Sequence, residues 1–197
     1  MTEVLFATNN RHKIEEVRSI LGPDFRIPGL SDINFTEELP ETRDTLEGNA
    51  EQKARYIFDK FGIACFADDS GLEVESLNSE PGVRSARYAG PHGNSDENIN
   101  LLLKNLEDVG DRSARFRTVI ALIDKDGDIK LFEGVIRGTI LTGRRGTSGF
   151  GYDPLFVPEG YALTFAEMSP TMKNSISHRA LALNKLVTHL KEIASVK

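Results

Sequence analysis

Gly62-Ile63-Ala64-Cys65-Phe66-Ala67-Asp68-Asp69-Ser70-Gly71 decides the fold. Ile63 to Ala67 form an unbroken apolar run, too short for a helix of its own and bounded by glycine and acids, which predicts a buried strand. Upstream, Ala50, Ala54, Ile57 and Phe61 recur at helical spacing across about Leu46 to Phe61, and Gly62 supplies the stop. A strand and then a helix precede this pair. Glu3 to Ala7 predicts a short buried strand, and Ile14, Val17, Ile20 and Leu21 mark a helix that ends at Gly22-Pro23. Residues 24 to 45 are less regular, with a short strand near Phe25 to Ile27 and an acidic loop through Glu37, Glu38 and Glu41. Glycines and prolines from Pro81 to Gly93 mark a long loop. Ser95, followed by Asp96 and Glu97, predicts a helix start, because acids favour the positive end of the helix dipole. Ala114 to Ile123 and Ile129 to Ile140 are β-rich runs joined by Asp124-Lys125-Asp126-Gly127-Asp128, a hairpin signal. A short strand follows around Leu155 to Val157, and a last helix runs from about Ser177 to Ile193. With no repeat, linker or low-complexity segment, the expectation is one α/β domain over residues 1–197 with a mixed sheet.

Composition narrows the function classes. The chain has 197 residues, a formal charge of −6 and 39% hydrophobic residues, which fits a compact soluble domain. The acidic balance argues against a nucleic-acid polymer as partner, since such binding rests on phosphate neutralisation by Lys and Arg. It leaves room for a mononucleotide in a local basic pocket, with neighbouring carboxylates pointing to a metal ion. Cys65 is the single cysteine, so no internal disulfide can form and a cytoplasmic setting is expected. No apolar run approaches the roughly 20 residues that cross a membrane, and the N-terminus shows no signal pattern.

Five groups of residues carry candidate chemistry. Thr8, Asn10 and Lys13 stand at a strand-to-helix junction, where helix amides and dipole favour an anion. Asp68 and Asp69 leave a strand toward opposite faces, so the two carboxylates should have different tasks. Glu41 is a candidate second ligand, since Mg²⁺ takes one or two protein carboxylates beside substrate phosphates. Asn49 and Lys53 share one face of the second helix. Ser148-Gly149-Phe150-Gly151-Tyr152-Asp153-Pro154 sets an aromatic face beside an acid on a stiff loop, a surface for a nucleobase. Lys173, Ser177, His178 and Arg179 cluster at the start of the last helix, where a guanidinium fork can read a purine edge.

In order, Thr8-Asn9-Asn10-Arg11-His12-Lys13, Ala67-Asp68-Asp69-Ser70-Gly71-Leu72, Ser85-Ala86-Arg87-Tyr88, Phe150-Gly151-Tyr152-Asp153 and Ser177-His178-Arg179 resemble the motifs of the inosine triphosphate pyrophosphatase (Ham1) family. The resemblance runs from residue 2 to about 190, and five motifs in register are specific. It implies an elongated two-lobed α/β fold with a long mixed sheet flanked by helices and an active site in the cleft between lobes. It also implies Mg²⁺ dependence, a homodimer, and hydrolysis of ITP, dITP and XTP to monophosphate and pyrophosphate. Carried over by position, residues 8 to 13 and Lys53 would hold the triphosphate, Lys13 assisting catalysis. Glu41 and Asp69 would bind Mg²⁺, and Asp68 or Asp69 would activate water, the family usually using the second. Ser70 would touch substrate. Phe150 would stack on the base within Phe150-Gly151-Tyr152-Asp153, and Asp153, Lys173, His178 and Arg179 would fix its edge and the sugar-phosphate. Asn9 departs from the glycine common in the phosphate motif. Two rivals remain open at this point: a pyrophosphatase for dTTP, UTP or modified pyrimidines, and a nucleotide-binding module without catalysis.

Overall fold

The strand running through the acid pair is longer than its apolar core predicts. In the computed structural model, which describes residues 2–91 and 93–195, β4 spans Cys65–Val74 and carries Asp68 and Asp69 in its middle rather than at its end. Leu72 and Val74 resume the buried pattern beyond the acids, so the two charges interrupt a core strand without terminating it. Ile63, expected inside, precedes the strand and is exposed, as is Phe61. The Phe61 ring instead meets Phe35 edge-on at 6.0 Å.

Around β4 the order of elements follows the expected alternation, with several corrections. The first strand is two short pieces, β1 (Thr2–Glu3) and β2 (Leu5–Phe6), because Val4 turns between two partners. Helix α1 (Arg11–Leu21) is capped by Asn10, whose side chain accepts from the Lys13 N–H. β3 (Phe25–Arg26) pairs with β1 in parallel, and a short 3₁₀ turn covers Leu30–Ile33 in the irregular stretch. Helix α2 (Leu46–Phe61) starts at an Thr45 cap and stops at left-handed Gly62. The glycine-rich region after β4 is more ordered than expected: β5 (Glu80–Pro81) pairs with β4, and 3₁₀ turns cover Glu75–Leu77 and Gly82–Arg87. Helix α3 (Ser95–Asn105) takes Asn94, not Ser95, as its cap, because the Asn94 side chain accepts from both Asp96 and Glu97 N–H groups. β6 (Ser113–Ile123), β7 (Ile129–Ile140) and β8 (Phe156–Pro158) follow. The expected last helix is α5 (His178–Ser195), and a further short helix, α4 (Pro170–Ile176), capped by Ser169, precedes it. Extended Ser177 separates them.

The main sheet is mixed and six-stranded, in the order β2-β4-β6-β7-β8 with β5 on β4. β2 pairs with β4 in parallel, and β7 with β8 antiparallel. Two compact units divide the chain. Unit 1 comprises Met1–Asp69, Thr118–Gly134 and His178–Lys197; unit 2 comprises Ser70–Arg117 and Val135–Ser177. In unit 1, Phe6, Phe66, Val17, Ile120, Leu183 and Leu186 are buried together. Phe6 and Phe66, opposite each other in the β2–β4 pair, stack at 4.5 Å, a contact worth about 0.5–1.5 kcal/mol beyond burial. In unit 2, Leu72, Leu102, Phe116, Tyr152, Phe156 and Phe165 form the corresponding core. Gly134 lets the start of α5 close on β7: a Cβ there would lie 2.0 Å from the His178 carbonyl oxygen. That approach places the N-terminal turn of α5, with Arg179, in unit 1.

Candidate active site

Alternation along β4 sends the two aspartates to different neighbours. Asp68 is buried and meets cations from both α1 and α5. The Lys13 ammonium donates to its Oδ1 at 2.8 Å, and Arg179 Nε donates to its Oδ2 at 3.2 Å. Arg179, fully buried, also donates through Nη1 to Glu16. Burial would raise the Asp68 carboxyl, but Lys13, Arg179 and Lys53 outweigh it and hold the group well below the usual carboxylate range. It is a committed anion.

Asp69 looks toward α2. Asn49 Nδ2 donates to its Oδ2 at 3.0 Å, and the Lys53 ammonium lies 3.8 Å from its Oδ1. Lys53 also donates to Glu41 Oε1 at 2.6 Å. Here burial prevails: it pushes the Asp69 carboxyl up, with Lys53 and Lys13 opposing and Glu41 adding to the rise. The two neighbouring acids are thus displaced in opposite directions, a recognised sign of divided acid–base roles. Lys53 itself is raised, burial being outweighed by Asp69, Glu41 and Asp68.

The carboxylates of Glu41 and Asp69 converge on one cationic centre, the Lys53 ammonium. Two hard oxygen donors aimed at a common point fit a small divalent cation whose other ligands are waters and phosphates. Among the described residues no three His, Cys, Asp or Glu side chains gather into an all-protein metal cage, so substrate oxygens would complete the shell.

The phosphate motif forms the turn into α1. Thr8 is buried and its Oγ1 accepts from the Asn10 N–H at 3.2 Å. Asn9, Asn10, Arg11 and His12 are exposed around the helix start, with Lys13 one turn in. Asn9 spends its side chain on the Glu37 carbonyl, at 3.1 Å. Ser70 directly follows Asp69 in β4 and opens unit 2.

In unit 2, Asp153 organises the aromatic loop. Its Oδ2 accepts from the Phe150 N–H at 2.9 Å and from Lys173 Nζ at 2.6 Å. The Lys173 ammonium then lies 5.0 Å from the Phe150 ring centre and 5.5 Å from that of Phe165. Gly149 is required here: its φ is +80°, and a Cβ would come 2.1 Å from Asp153 Oδ2. Phe150 keeps 36% of its surface exposed, whereas Tyr152 is buried. The Tyr152 hydroxyl donates to the Ser85 carbonyl at 2.9 Å, so this side chain anchors the loop to the core rather than presenting a ring. Gly151, at φ +58°, makes the turn between them.

The expected cluster at residues 173 to 179 is therefore divided. Lys173 belongs to α4 and bonds Asp153, while Arg179 belongs to α5 and bonds Asp68 and Glu16. Ser177 and His178 are buried at the junction. Glu16 had no place in the sequence reading, yet it stands three residues after Lys13 on α1, a spacing that puts both on one helix face. Asn49, which shares a helix face with Lys53, serves Asp69.

Comparison with known proteins places the whole chain. The model of the Ham1 family matches residues 4–189, running through segments of both units. A dITP/XTP pyrophosphatase of Porphyromonas gingivalis is 54% identical over 187 residues, covering 94% of this chain and 96% of that protein. One from Flavobacterium johnsoniae is 50% identical over 185 residues, covering 94% and 96%. The solved Ham1 protein of Staphylococcus aureus superposes with a TM-score of 0.88 at 39% identity, over 97% of this chain and 99% of that one.

Proposed function

The chain belongs to the Ham1 family, and on that premise we propose that it hydrolyses deaminated purine nucleoside triphosphates, ITP, dITP and XTP, to the monophosphate and pyrophosphate. The observation that carries the chemistry is the opposed pair on β4. Asp68 is fixed as an anion between Lys13 and Arg179, whereas Asp69, raised by burial, can take up a proton. Water is deprotonated by Asp69 and its oxygen bonds to the α-phosphorus. The bond from that phosphorus to the bridging oxygen breaks, and pyrophosphate leaves with the electron pair. Residues 8 to 13 and Lys53 hold the polyphosphate, the Lys13 ammonium facing the departing charge. Glu41 and Asp69 would hold a divalent cation, Mg²⁺ in our reading, which when bound neutralises phosphate charge.

Base recognition falls first to Phe150 and Lys173. The exposed part of the Phe150 ring offers a stacking surface, and Lys173 beside it offers a donor to a 6-oxo group. Adenine presents a 6-amino donor there, leaving two donors face to face at a cost of about 1–3 kcal/mol. Asp153 holds both Phe150 and Lys173 in place, with His178 and Arg179 assigned to the sugar-phosphate and base edge. Buried Cys65, whose thiol burial pushes up to about 12, is inert to oxidation and compatible with a cytoplasmic enzyme. No described helix is long and apolar enough to cross a membrane. A homodimer completes the reading and is checked by sedimentation.

The test is a panel of ITP, dITP, XTP, GTP, ATP, dTTP and UTP with pyrophosphate detection, with and without Mg²⁺. Preference for the deaminated purines, with release dependent on the cation, is expected. Equal efficiency on ITP and ATP removes the recognition scheme, and a preference for dTTP or UTP replaces the substrate class. Hydrolysis in ¹⁸O-water should label the monophosphate; label confined to pyrophosphate moves the attack to the β-phosphorus.

A further inference from the structure

The segment from Glu37 to Arg43 carries Glu41, and nearly every bond holding it comes from one stripe of α2. Asn49, Gln52, Lys53, Tyr56 and Lys60 follow helical spacing and share a face. At one end, Lys60 Nζ donates to Glu37 Oε1 at 2.6 Å and the Tyr56 hydroxyl to Glu37 Oε2 at 3.0 Å. Lys60 also lies 5.1 Å from the Phe35 ring centre, which limits its swing. In the middle, Lys53 holds Glu41. At the other end, Gln52 Oε1 accepts from the Thr42 N–H at 2.9 Å, its Nε2 donates to Thr42 Oγ1 at 2.8 Å, and Asn49 Oδ1 accepts from the Arg43 N–H at 2.9 Å. The segment thus runs antiparallel along the helix. Its first residue is tied from elsewhere: Asn9, in the turn before α1, donates to the Glu37 carbonyl.

We propose that Asn9, Tyr56 and Lys60 are positioning residues that fix the Glu37–Arg43 segment against α2 and thereby set how tightly the Glu41 carboxylate takes up the divalent cation. This rests on the reading of Glu41 as a cation ligand. A ligand on a segment already ordered is bound without the entropy of ordering it, whereas a loose segment must be fixed at the moment of binding. Asn9 adds a link between the turn that meets the phosphates and the segment that meets the cation.

The test compares wild type with the double substitution Tyr56→Phe/Lys60→Met, with Lys60→Arg, with Asn9→Ala and with Glu41→Gln. Hydrogen exchange of amides 37 to 43 is followed in metal-free protein. Mn²⁺ binding in the presence of a non-hydrolysable ITP analogue is followed by the loss of free Mn²⁺ resonance, and the Mg²⁺ midpoint of ITP hydrolysis is measured alongside. The double variant should exchange faster in this segment and shift both cation midpoints upward about two- to fivefold, the scale of an exposed ion pair with one hydrogen bond. Its kcat at saturating Mg²⁺ should stay near wild type, and Lys60→Arg should restore the midpoints. Asn9→Ala should move exchange and Mn²⁺ binding in the same direction. Faster exchange with unchanged midpoints, or unchanged exchange, overturns the positioning role. If Glu41→Gln leaves the midpoints where they were, the cation reading itself falls, and the proposal with it. A shift in Glu41→Gln without one in the double variant overturns the positioning alone.

Discussion

Asp68 and Asp69 are consecutive residues on β4, equally buried by sequence and opposite in circumstance. On the α1/α5 side, Asp68 is compensated by a lysine and an arginine, and Glu16 in turn compensates the arginine. On the α2 side, Asp69 has one amide donor at hydrogen-bond distance and an ammonium at 3.8 Å that is closer to Glu41. On the first side Asp68 and Glu16 meet Lys13 and Arg179, and on the second Asp69 and Glu41 share the Lys53 ammonium. Buried ions without full compensation are costly, and such sites are where function is found. Under the proposed function, the α2 side of the strand receives the cation and the proton, while the α1/α5 side fixes Asp68 between two cations.

Removing each carboxylate in turn breaks this comparison most directly. Asp68→Asn strips a buried pair of its anion and leaves Lys13 undercompensated. The expected loss is about 3 kcal/mol or more of unfolding free energy, read from urea denaturation. A midpoint equal to wild type would mean that the α1/α5 network carries no structural weight.

Asp69→Asn should do the reverse. The new amide oxygen can still accept from Asn49, and the burial cost that raises the Asp69 carboxyl disappears. Unfolding free energy should hold or rise while turnover falls by at least 10²-fold, about 2.7 kcal/mol of barrier. Near-wild-type turnover removes Asp69 from any acid–base or metal role.

How much of this contrast was legible in the sequence depends on the period of each element. The α2 boundaries were readable because the apolar stripe and Gly62 agree; the Thr45 cap emerged only from the structure. The motif residues were found because their spacing recurs in a family. The division of Lys173 from Arg179 was only half readable: the start of α5 was expected near Ser177, but Lys173 lies on the separate α4, whose seven residues are too few to show a helical period. The continuation of β4 past two acids was not readable. Local reading treats adjacent like charges as the end of a core strand, and only the distant Lys13, Lys53 and Arg179 make them tolerable there. Glu16 was hidden for the same reason: its partner lies 163 positions away.

If both sides of β4 serve the phosphates, loss of the base contact in unit 2 should leave their division of labour intact. Phe150→Ala should lower kcat/KM for ITP about tenfold, the scale of one stacking contact, with most of the change in KM. A fall in kcat matching that of Asp69→Asn would tie the aromatic loop to the chemical step instead.

Acid sharpens the contrast with the smallest effect. Asp68 has a folded pKa below its ordinary value of about 3.9, so its stabilisation is complete above that value and is lost as pH falls further toward the folded pKa. Asp69 has a folded pKa above the ordinary value, so its charge destabilises the fold at neutral pH, and the penalty is relieved as pH falls through the raised pKa toward 3.9. The stability gap between wild type and Asp69→Asn should therefore narrow while pH is still above about 4. The gap to Asp68→Asn should persist to about pH 4 and close only below it. Two denaturation series from pH 7 to pH 3 would show the first gap closing above about pH 4 and the second only starting to narrow below it. Gaps that close together would mean that the two sides of β4 share one electrostatic environment.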